Sequence, residues 1–189
     1  MTNEKKQKVL SSIAKKIREC DICKKGKSGK AVPGEGNADA AVVFIGEAPG
    51  KTEAQTGRPF IGRSGKLLRS LIEEAGLREQ DFFITSPVKY LPDRGTPSAS
   101  DIIHGMIHTQ EQLDIINPNI LVLLGRVAVQ GVLGEKISVT KKHGEIIKKN
   151  GKIYLVTFHP AAALRFPQIK EKLRDDFREL TRLIQNPNA

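Results

Sequence analysis

The sequence predicts an α/β fold in which helices cover both faces of a parallel sheet. Four short apolar runs are continuous and do not alternate with polar residues, which is typical of strands buried on both faces. Helical patterns separate these runs, and such an alternation indicates an α/β sandwich. A length of 189 residues suffices for one domain with a sizeable core and is too short for two ordinary ones. We therefore expect a single domain over residues 1–189.

The chain begins with a basic helix and loop, at about residues 1–38. An apolar stripe on the helix is followed by "KKGKSGKAVPGEGNAD", whose Gly, Pro and Asn content predicts a loop. Residues 1–30 hold ten Lys and Arg against three acids, and therefore seven of the ten net positive charges. Such a segment either adds phosphate contacts or is a solvated helix face. The stripe consists of Val9, Leu10, Ile13 and Ile17.

The apolar runs and the patterns between them give the order of the remaining elements. The runs are "AVVFIG", "DFFITS", "NILVLLG" and "KIYLVTF". One helical stripe follows the first run and ends at Gly76, a second follows the second run and stops before Pro118, and a last helix closes the chain. These stripes comprise Leu67, Leu68, Leu71, Ile72 and Ala75; Ile102, Ile103, Met106, Ile107, Leu113 and Ile116; and Ile169, Leu173, Phe177, Leu180 and Ile184.

The composition limits the classes of function. A net charge of +10 and a pI near 9.7 favour a polyanionic partner, in the first place nucleic acid, over a generally basic soluble protein. The glycine patterns of nucleotide-phosphate loops are missing, which argues against a nucleotide-phosphate site. The start "MTNEKKQKVL" has no apolar core of signal-peptide length, and no stretch approaches the length of a membrane span. We therefore expect a cytoplasmic protein without a membrane partner.

Chemically useful side chains follow the predicted strands. In open parallel sheets the site lies at the carboxyl ends of the strands, and these ends carry a carboxylate, a hydroxyl and an imidazole, from Glu47, Ser86 and His159. Glu47 is either a ligand-facing carboxylate or a helix-capping acid. His159 precedes a proline and is a candidate hydrogen-bond donor to a developing anion. Phe60, in "GRPFIG", either plugs the core or offers a stacking face.

Two cysteines and two histidines form a candidate metal site. Cys20 and Cys23 have C-x2-C spacing, which in a reducing compartment indicates metal or redox chemistry. His104 and His108 lie four residues apart on one helix face and complete a set that resembles the ligands of a tetrahedral zinc site. The alternatives are inert thiols with surface histidines, or a thiol redox function of the cysteine pair.

Two segments resemble the motifs of family 4 uracil-DNA glycosylases. "VPGEGNADAAVVFIGEAPGKTEAQTGRPFIGRSGKLL" is similar to their first motif block, and "FHPAAALR" is similar to their second. The similarity extends from about Cys20 to the C-terminal helix. It implies a three-layer α/β/α sandwich with a central four-stranded parallel sheet. It also implies hydrolysis of the N-glycosidic bond of uracil that is flipped out of DNA.

The resemblance also assigns roles to the residues at the strand ends. Gly46, Glu47 and Ala48 would line the base and sugar pocket, with Glu47 positioning or activating water and stabilising the sugar cation. Phe60 would stack on the base, and His159 would donate a hydrogen bond to the departing uracil anion.

For the contact with DNA, the same resemblance indicates a loop that wedges into the duplex, "AAALRFP", with Leu164 and Arg165. Further candidates for phosphate contacts are Arg63, Lys89 and Arg126.

The sequence departs from the family pattern in its cysteines. The family holds an iron-sulfur cluster with four cysteines, of which Cys20 and Cys23 match the first pair, while the other two positions fall on Tyr90 and Gly105. Neither residue can replace a thiolate in that cluster, so we predict no [4Fe-4S] cluster. The N-terminal loop either packs without metal, or its cysteines bind zinc with help from a histidine.

The second departure is Ser86, which takes the place of the asparagine that reads the uracil edge in the family. A hydroxyl cannot make the paired contact of an amide, so strict selectivity for uracil is in question. The resemblance thus implies a DNA glycosylase, by the same resemblance a monomer, that acts on DNA containing uracil or another deaminated base. The alternative is a catalytically weak or inactive module of the same fold that binds DNA damage.

Overall fold

Eight strands are present in the described part of the chain. The structure is a computed structural model and describes residues 1–186. The strands are β1 (Lys27–Ser28), β2 (Glu35–Gly36), β3 (Val42–Ile45), β4 (Phe82–Thr85), β5 (Leu91–Pro92), β6 (Ile120–Leu124), β7 (Ile146–Lys149) and β8 (Lys152–Thr157). Six of them form a central sheet in the order β2-β4-β3-β6-β8-β7, and β1 pairs with β5 in a small separate ribbon.

The four central strands of the sheet run parallel, as predicted. β3 pairs with β4 and β6, and β6 pairs with β8, all in parallel register. Two short antiparallel strands, β2 and β7, extend this sheet at its edges. The hairpin between β7 and β8 turns at Asn150 and Gly151, both with positive φ, which is the sequence signal of a type I′ turn.

Nine helices connect and cover the strands among residues 1–186. The predicted apolar stripes of the sequence correspond to the first, fourth, fifth and last of them. The helices are α1 (Asn3–Glu19), α2 (Asp21–Lys24), α3 (Lys51–Thr56), α4 (Arg63–Glu74), α5 (Ala99–Ile116), α6 (Arg126–Leu133), α7 (Val139–Lys142), α8 (Pro160–Ala163) and α9 (Pro167–Gln185). None of them combines the length and apolar character that crossing a membrane requires.

The continuous apolar strands build two cores, one on each face of the sheet. Successive side chains of a strand point to opposite faces, so Phe44 packs with α4 and α9, while its neighbours Val43 and Ile45 pack with α1, α5 and α6. This arrangement is the predicted three-layer sandwich. Because both faces are covered, the loops at the carboxyl ends of the parallel strands are left to form a cleft.

Candidate active site

A cleft of about 560 Å³ lies at the carboxyl ends of the parallel strands. Its walls bring together Glu47 and Ala48 after β3, Ser86 after β4 and His159 after β8, with Phe60 from the loop before α4. The cleft therefore unites the carboxylate, hydroxyl, imidazole and aromatic ring that the sequence places on separate segments.

Phe60 lies against the backbone at Gly46. A Cβ on Gly46 would come within 2.6 Å of the Phe60 ring, closer than real Cβ contacts, so only glycine leaves the ring in its place. Phe60 has φ of 49°, in the left-handed region that non-glycine residues rarely adopt. Its backbone also passes too close to Gly65 for a side chain there, since a Cβ at that residue would lie 2.0 Å from the Phe60 carbonyl carbon.

Glu53 holds the loop that carries Phe60, a role that the sequence analysis missed. This carboxylate is buried, and its Oε1 accepts hydrogen bonds from the backbone N–H groups of Ile61 and Gly62 at 3.0 and 2.8 Å. Its position in the first turn of α3 resembles an ordinary acid near a helix N-terminus, so no sequence signal separated it from that role. The strained conformation of Phe60 is thus supported from one side by Glu53 and from the other by Gly65.

Glu47 is half-buried in the cleft. Burial raises the pKa of its carboxyl above the usual range, and the positive charge of Arg126 at the start of α6 acts in the opposite direction. The carbonyl oxygen of Glu47 accepts a hydrogen bond from Val88 N–H at 3.3 Å, which ties the loop after β3 to the loop after β4. The side chain makes no hydrogen bond or ion pair within residues 1–186, so its carboxylate faces a ligand-sized space.

His159 presents one defined ring nitrogen to the cleft. Its Nδ1 accepts a hydrogen bond from Ala161 N–H at 3.1 Å and so caps the N-terminus of α8. Burial lowers the pKa of the His159 imidazole to about 4, with Glu53 acting weakly in the opposite direction. The ring is therefore neutral near pH 7, and its proton is on Nε2. This nitrogen lies 3.9 Å from the position that a Cβ on Gly46 would take.

Ser86 lines the cleft with a hydroxyl whose proton is already in use. Its Oγ donates a hydrogen bond to the carbonyl oxygen of Val88 at 2.8 Å. The carbonyl oxygen of Ser86 accepts from the Thr109 hydroxyl at 3.2 Å, so α5 supports this residue from behind. Because the hydroxyl has one proton, Ser86 Oγ can act toward a ligand only as an acceptor.

Four of the five candidate DNA contacts are exposed, and one of them, Arg165, lines the cleft. Arg63 and Arg126 each stand at the first position of a helix, and Leu164 and Arg165 follow α8. Leu164 is 43% exposed, and Phe166, which the sequence analysis did not single out, is 49% exposed and lines the cleft. Phe166 and the Arg165 guanidinium thus stand together at the cleft, and the exposed Leu164 precedes them in the chain.

The fifth candidate, Lys89, was wrong as a phosphate contact. Its side chain is 1% exposed, so its ammonium cannot reach a DNA phosphate. Lys89 Nζ instead donates to Thr85 Oγ1 at 2.8 Å, to Gln112 Oε1 at 3.0 Å and to the carbonyl oxygen of Pro33 at 3.3 Å. This buried network joins the end of β4, the loop before β2 and α5. The sequence did not reveal this network, because no local sequence pattern marks a lysine that is buried in the folded protein.

Comparisons with known proteins decide the family. Residues 33–182 match the sequence profile of the uracil DNA glycosylase superfamily. The chain belongs to the uracil-DNA glycosylase superfamily. It is 39% identical to the type-4 uracil-DNA glycosylase of Saccharolobus solfataricus over 94% of this chain and 87% of that protein. It is 37% identical to the type-4 enzyme of Thermotoga maritima over 85% of both chains, and 38% identical to that of Sulfurisphaera tokodaii over 94% and 86%.

This member of the glycosylase superfamily also has a cluster of cysteine and histidine side chains away from the cleft. The ligand atoms of Cys20, Cys23, His104 and His108 all lie within 4.8 Å of one another. Cys20 Sγ lies 3.1 Å from His104 Nε2. Both ring nitrogens of the buried His108 lack a hydrogen-bond partner within the described chain. Since buried polar atoms are nearly always paired, these two nitrogens are unusual.

Tyr90 and Gly105, the two positions expected to replace cluster cysteines, make contacts of their own. The Tyr90 hydroxyl is buried at the end of α1, where it donates to the carbonyl oxygen of Arg18 at 3.3 Å. A Cβ on Gly105 would lie 1.8 Å from the carbonyl oxygen of Pro87, so this position cannot carry any side chain on this backbone. The side chains of α5 that face the thiols in this glycosylase fold are those of His104 and His108.

Proposed function

We propose that this chain is a DNA glycosylase that hydrolyses the N-glycosidic bond of uracil in DNA, in base excision repair. The observation that carries the proposal is the hydrogen bond from Ala161 N–H to His159 Nδ1, which leaves a neutral imidazole with its Nε2 proton in the same cleft as Glu47 and Phe60. The names of its type-4 relatives describe the same activity.

Bond cleavage creates opposite charges on its two sides, and the cleft offers one group for each. The bond between sugar C1′ and base N1 breaks, and its electron pair leaves with the base. His159 Nε2–H then donates a hydrogen bond to a carbonyl oxygen of the uracil anion. The Glu47 carboxylate stabilises the positive sugar. It takes the proton of the water molecule that adds to C1′.

The base must leave the DNA stack before it can reach this cleft, which costs a few kcal/mol. Phe60 offsets part of this cost by stacking on the flipped base, in a pocket that Gly46 and Ala48 also line. Leu164 occupies the gap in the duplex, and the guanidinium groups of Arg63 and Arg165 contact phosphates beside it. Arg126 stands near Glu47 and supports its ionised form.

The Ser86 hydroxyl selects for a ring N–H on the base. Its Oγ can accept from a ligand but cannot donate to it, because the hydroxyl already donates its hydrogen bond to the Val88 carbonyl oxygen. Uracil has such an N–H at N3, and hypoxanthine and xanthine have the equivalent group at N1, whereas cytosine and adenine have an acceptor there. The acceptor therefore distinguishes uracil from cytosine and hypoxanthine from adenine, but not these deaminated bases from one another or from thymine and guanine, which have the same ring N–H.

Base release from oligonucleotides tests the function and the range of substrates together. Single- and double-stranded oligonucleotides would carry uracil, hypoxanthine or xanthine. Glu47→Ala would be the inactive comparison, and Glu73→Ala, an exposed residue of α4, the matched control. We expect uracil release by the wild type and Glu73→Ala, but not by Glu47→Ala. DNA binding without release of any base would instead identify an inactive damage-binding module.

The same assay tests the role of Ser86. Replacement by alanine removes the acceptor, so release of uracil and of hypoxanthine should fall to a similar extent. Ser86→Asn restores an amide that accepts from the ring N–H and donates to the adjacent carbonyl oxygen, a pair of groups that uracil and hypoxanthine share, so we expect release of both bases to rise. Unchanged or lower release of both bases by Ser86→Asn would contradict the assignment.

We propose zinc, and no [4Fe-4S] cluster, at the cysteine and histidine group. In a tetrahedral zinc site with thiolate and imidazole ligands, the ligand atoms stand about 3.3–3.8 Å apart, so the observed grouping within 4.8 Å fits zinc after small movements. The two nitrogens of His108 fit the same interpretation: neither has a hydrogen-bond partner among residues 1–186, Nδ1 lies 3.8 Å from Glu111 Oε2, and one of the two would bind the metal. Bound zinc would act as a structural cross-link between α2 and α5.

Elemental analysis with an absorption spectrum tests this assignment. One zinc per chain in the wild type, and its loss in Cys23→Ser with His108→Ala, is the expected result. A brown protein with stoichiometric iron would overturn it. We also propose that the protein is a monomer in the cytoplasm. Gel filtration with light scattering tests the oligomeric state, and fluorescence microscopy tests the location.

A further inference from the structure

A second groove, of about 610 Å³, lies beside the cleft and is strongly basic. The eleven residues that line it include four cations and no acid. The cations come from the end of α1 and from the segment that continues through α2 and β1: Arg18, Lys24, Lys27 and Lys30. The chemistry of the groove is therefore that of an anion-binding surface.

Part of the unpaired charge of the basic N-terminal segment lies in this groove. Six of its ten Lys and Arg residues have a carboxylate within 4.0 Å: Lys6, Lys8, Lys15, Lys16, Lys24 and Lys27. Among the described residues, Lys5, Arg18, Lys25 and Lys30 have none. Two of these four, Arg18 and Lys30, line the groove with exposed side chains. Two of the four cations without a carboxylate partner thus line this groove, whereas Lys5 and Lys25 lie outside it.

The groove opens at the same end of the sheet as the cleft. At its start, α1 contacts the amino end of β3, where Asn3 Nδ2 donates to Asp39 at 2.7 Å. At its other end, the carbonyl oxygen of Arg18 accepts from Tyr90, which follows β4. The helix therefore runs along the sheet and brings Arg18 to the level of the carboxyl ends.

Only α3 and one short loop separate the groove from the cleft. Gly50, just before α3, and Glu53 in its first turn line the cleft, whereas Thr56 at the end of α3 and the following Gly57 line the groove. A six-residue helix is about 9 Å long, at 1.5 Å per residue. Successive phosphates of a strand in B-form DNA rise by about 3.4 Å along the helix axis. The groove thus lies about two to three nucleotides from the cleft.

We propose that this groove binds backbone phosphates of the DNA strand that flanks the target nucleotide, with Arg18 and Lys30 as the main contacts. The inference rests on the proposed function, because the cleft would fix where the strand enters the groove. Lys24 and Lys27 also line the groove, but each already has a carboxylate partner and therefore adds less to its charge. A single strand has the same charge along its whole length, so the contacts add affinity without sequence preference.

The salt dependence of DNA binding tests the groove. The probe is a 15-nucleotide single strand with a central uracil, and the groove variant is Arg18→Gln with Lys30→Gln. The matched control is Lys5→Gln with Lys136→Gln, which removes the same charge from exposed side chains that have no carboxylate partner among residues 1–186. Both control residues lie away from the groove. Lys5 lies at the start of α1. Lys136 is next to Glu135, which forms an ion pair with Lys149 at the end of β7, at the opposite end of the sheet from the groove.

The groove variant should lower the slope of log affinity against log salt by about 1.4, at about 0.7 for each lost phosphate contact. The control should keep the wild-type slope. With a trinucleotide centred on uracil, which cannot reach the groove, both variants should behave as the wild type. An equal change of slope in both variants, or an effect of the groove variant on the trinucleotide, would overturn the proposal.

The experiment distinguishes an error in the groove assignment from an error in the proposed function. If the wild type releases uracil and the groove variant keeps the wild-type salt slope, only the groove assignment is wrong. If the wild type releases no base but the variant lowers the slope, the groove binds DNA in a protein without glycosylase activity. Inorganic phosphate should compete with DNA for the wild type and for the control to the same extent, but not for the groove variant. That result would identify the groove as the phosphate site.

Discussion

The imidazole of His159 lies 5.7 Å from the phenyl ring of Phe60, measured between ring centroids, and the two planes are inclined by 32°. A planar ligand stacked on Phe60 would therefore have one edge toward His159. The donor nitrogen is fixed in this arrangement, because the other ring nitrogen accepts from Ala161 N–H. The pair can recognise a flat ring by its face and a carbonyl oxygen by its edge.

Removal of the imidazole should slow base release far more than it weakens DNA binding. His159→Ala removes a donor to a developing anion, and such a loss reduces the rate about 10²–10³-fold. Single-turnover release of uracil measures this rate, and fluorescence anisotropy with uracil-containing DNA measures binding. A loss of less than tenfold at unchanged affinity would exclude His159 as the donor.

The rate of base release should rise with pH through the pKa of Glu47. Burial raises this pKa, and the carboxyl must lose its proton before it can stabilise the sugar cation or accept a proton from water. His159 has a pKa of about 4, so it is already largely neutral above pH 5 and adds no opposing change there. The measurement is a pH profile of single-turnover release between pH 5 and 8.

A fall in rate with rising pH would contradict this assignment, because it would require a protonated group such as an imidazolium. Glu47→Gln provides the control, since its residual activity should not show the rise. Glu73→Ala should retain the wild-type profile.

The sequence predicted the parts of the fold that depend on local patterns. The continuous apolar runs gave the four parallel strands because a strand covered on both faces needs apolar residues at every position. The edge strand β7 was missed because "IIKK" is half exposed and has no such pattern, although the following Asn150-Gly151 pair was a usable signal. The short strands β1, β2 and β5 were also missed, because they form by pairing with segments that are distant in sequence.

Among the site residues, Glu47, Ser86 and His159 could be located from the sequence because they follow predicted strands. Glu53 and Lys89 could not, since their roles depend on which backbone groups tertiary packing places beside them. A carboxylate that binds the N–H groups of another loop resembles any acid of a first helical turn. A lysine buried against a carbonyl oxygen and two polar side chains resembles any surface lysine.

A methyl group at residue 46 should disturb the cleft without unfolding the protein. In Gly46→Ala the new Cβ would lie 2.6 Å from the end of the Phe60 ring, which can move into the cleft. We expect base release to fall by at least tenfold and the melting temperature to change little. The double variant Gly46→Ala with Phe60→Leu should lose less than the sum of the two single effects, because they act on the same contact. Additive losses would contradict a shared cause.

An alanine at residue 105 should destabilise the protein, in contrast to one at Gly131. The new Cβ in Gly105→Ala meets the carbonyl oxygen of Pro87 at 1.8 Å, and this backbone group cannot turn away as a side chain can. Such overpacking costs about 1–3 kcal/mol of unfolding free energy.

The matched control also lies inside a helix. In Gly131→Ala the nearest atom is the sulfur of Met106 at 3.0 Å, in a flexible side chain that can move aside. Alanine is favoured over glycine in a helix interior by about 0.5–1 kcal/mol, so this variant should be neutral or slightly more stable. Urea unfolding of both variants measures the difference. Equal stability would mean that α5 can shift away from the Ser86–Val88 loop, and base release should then fall because the cleft has lost its support.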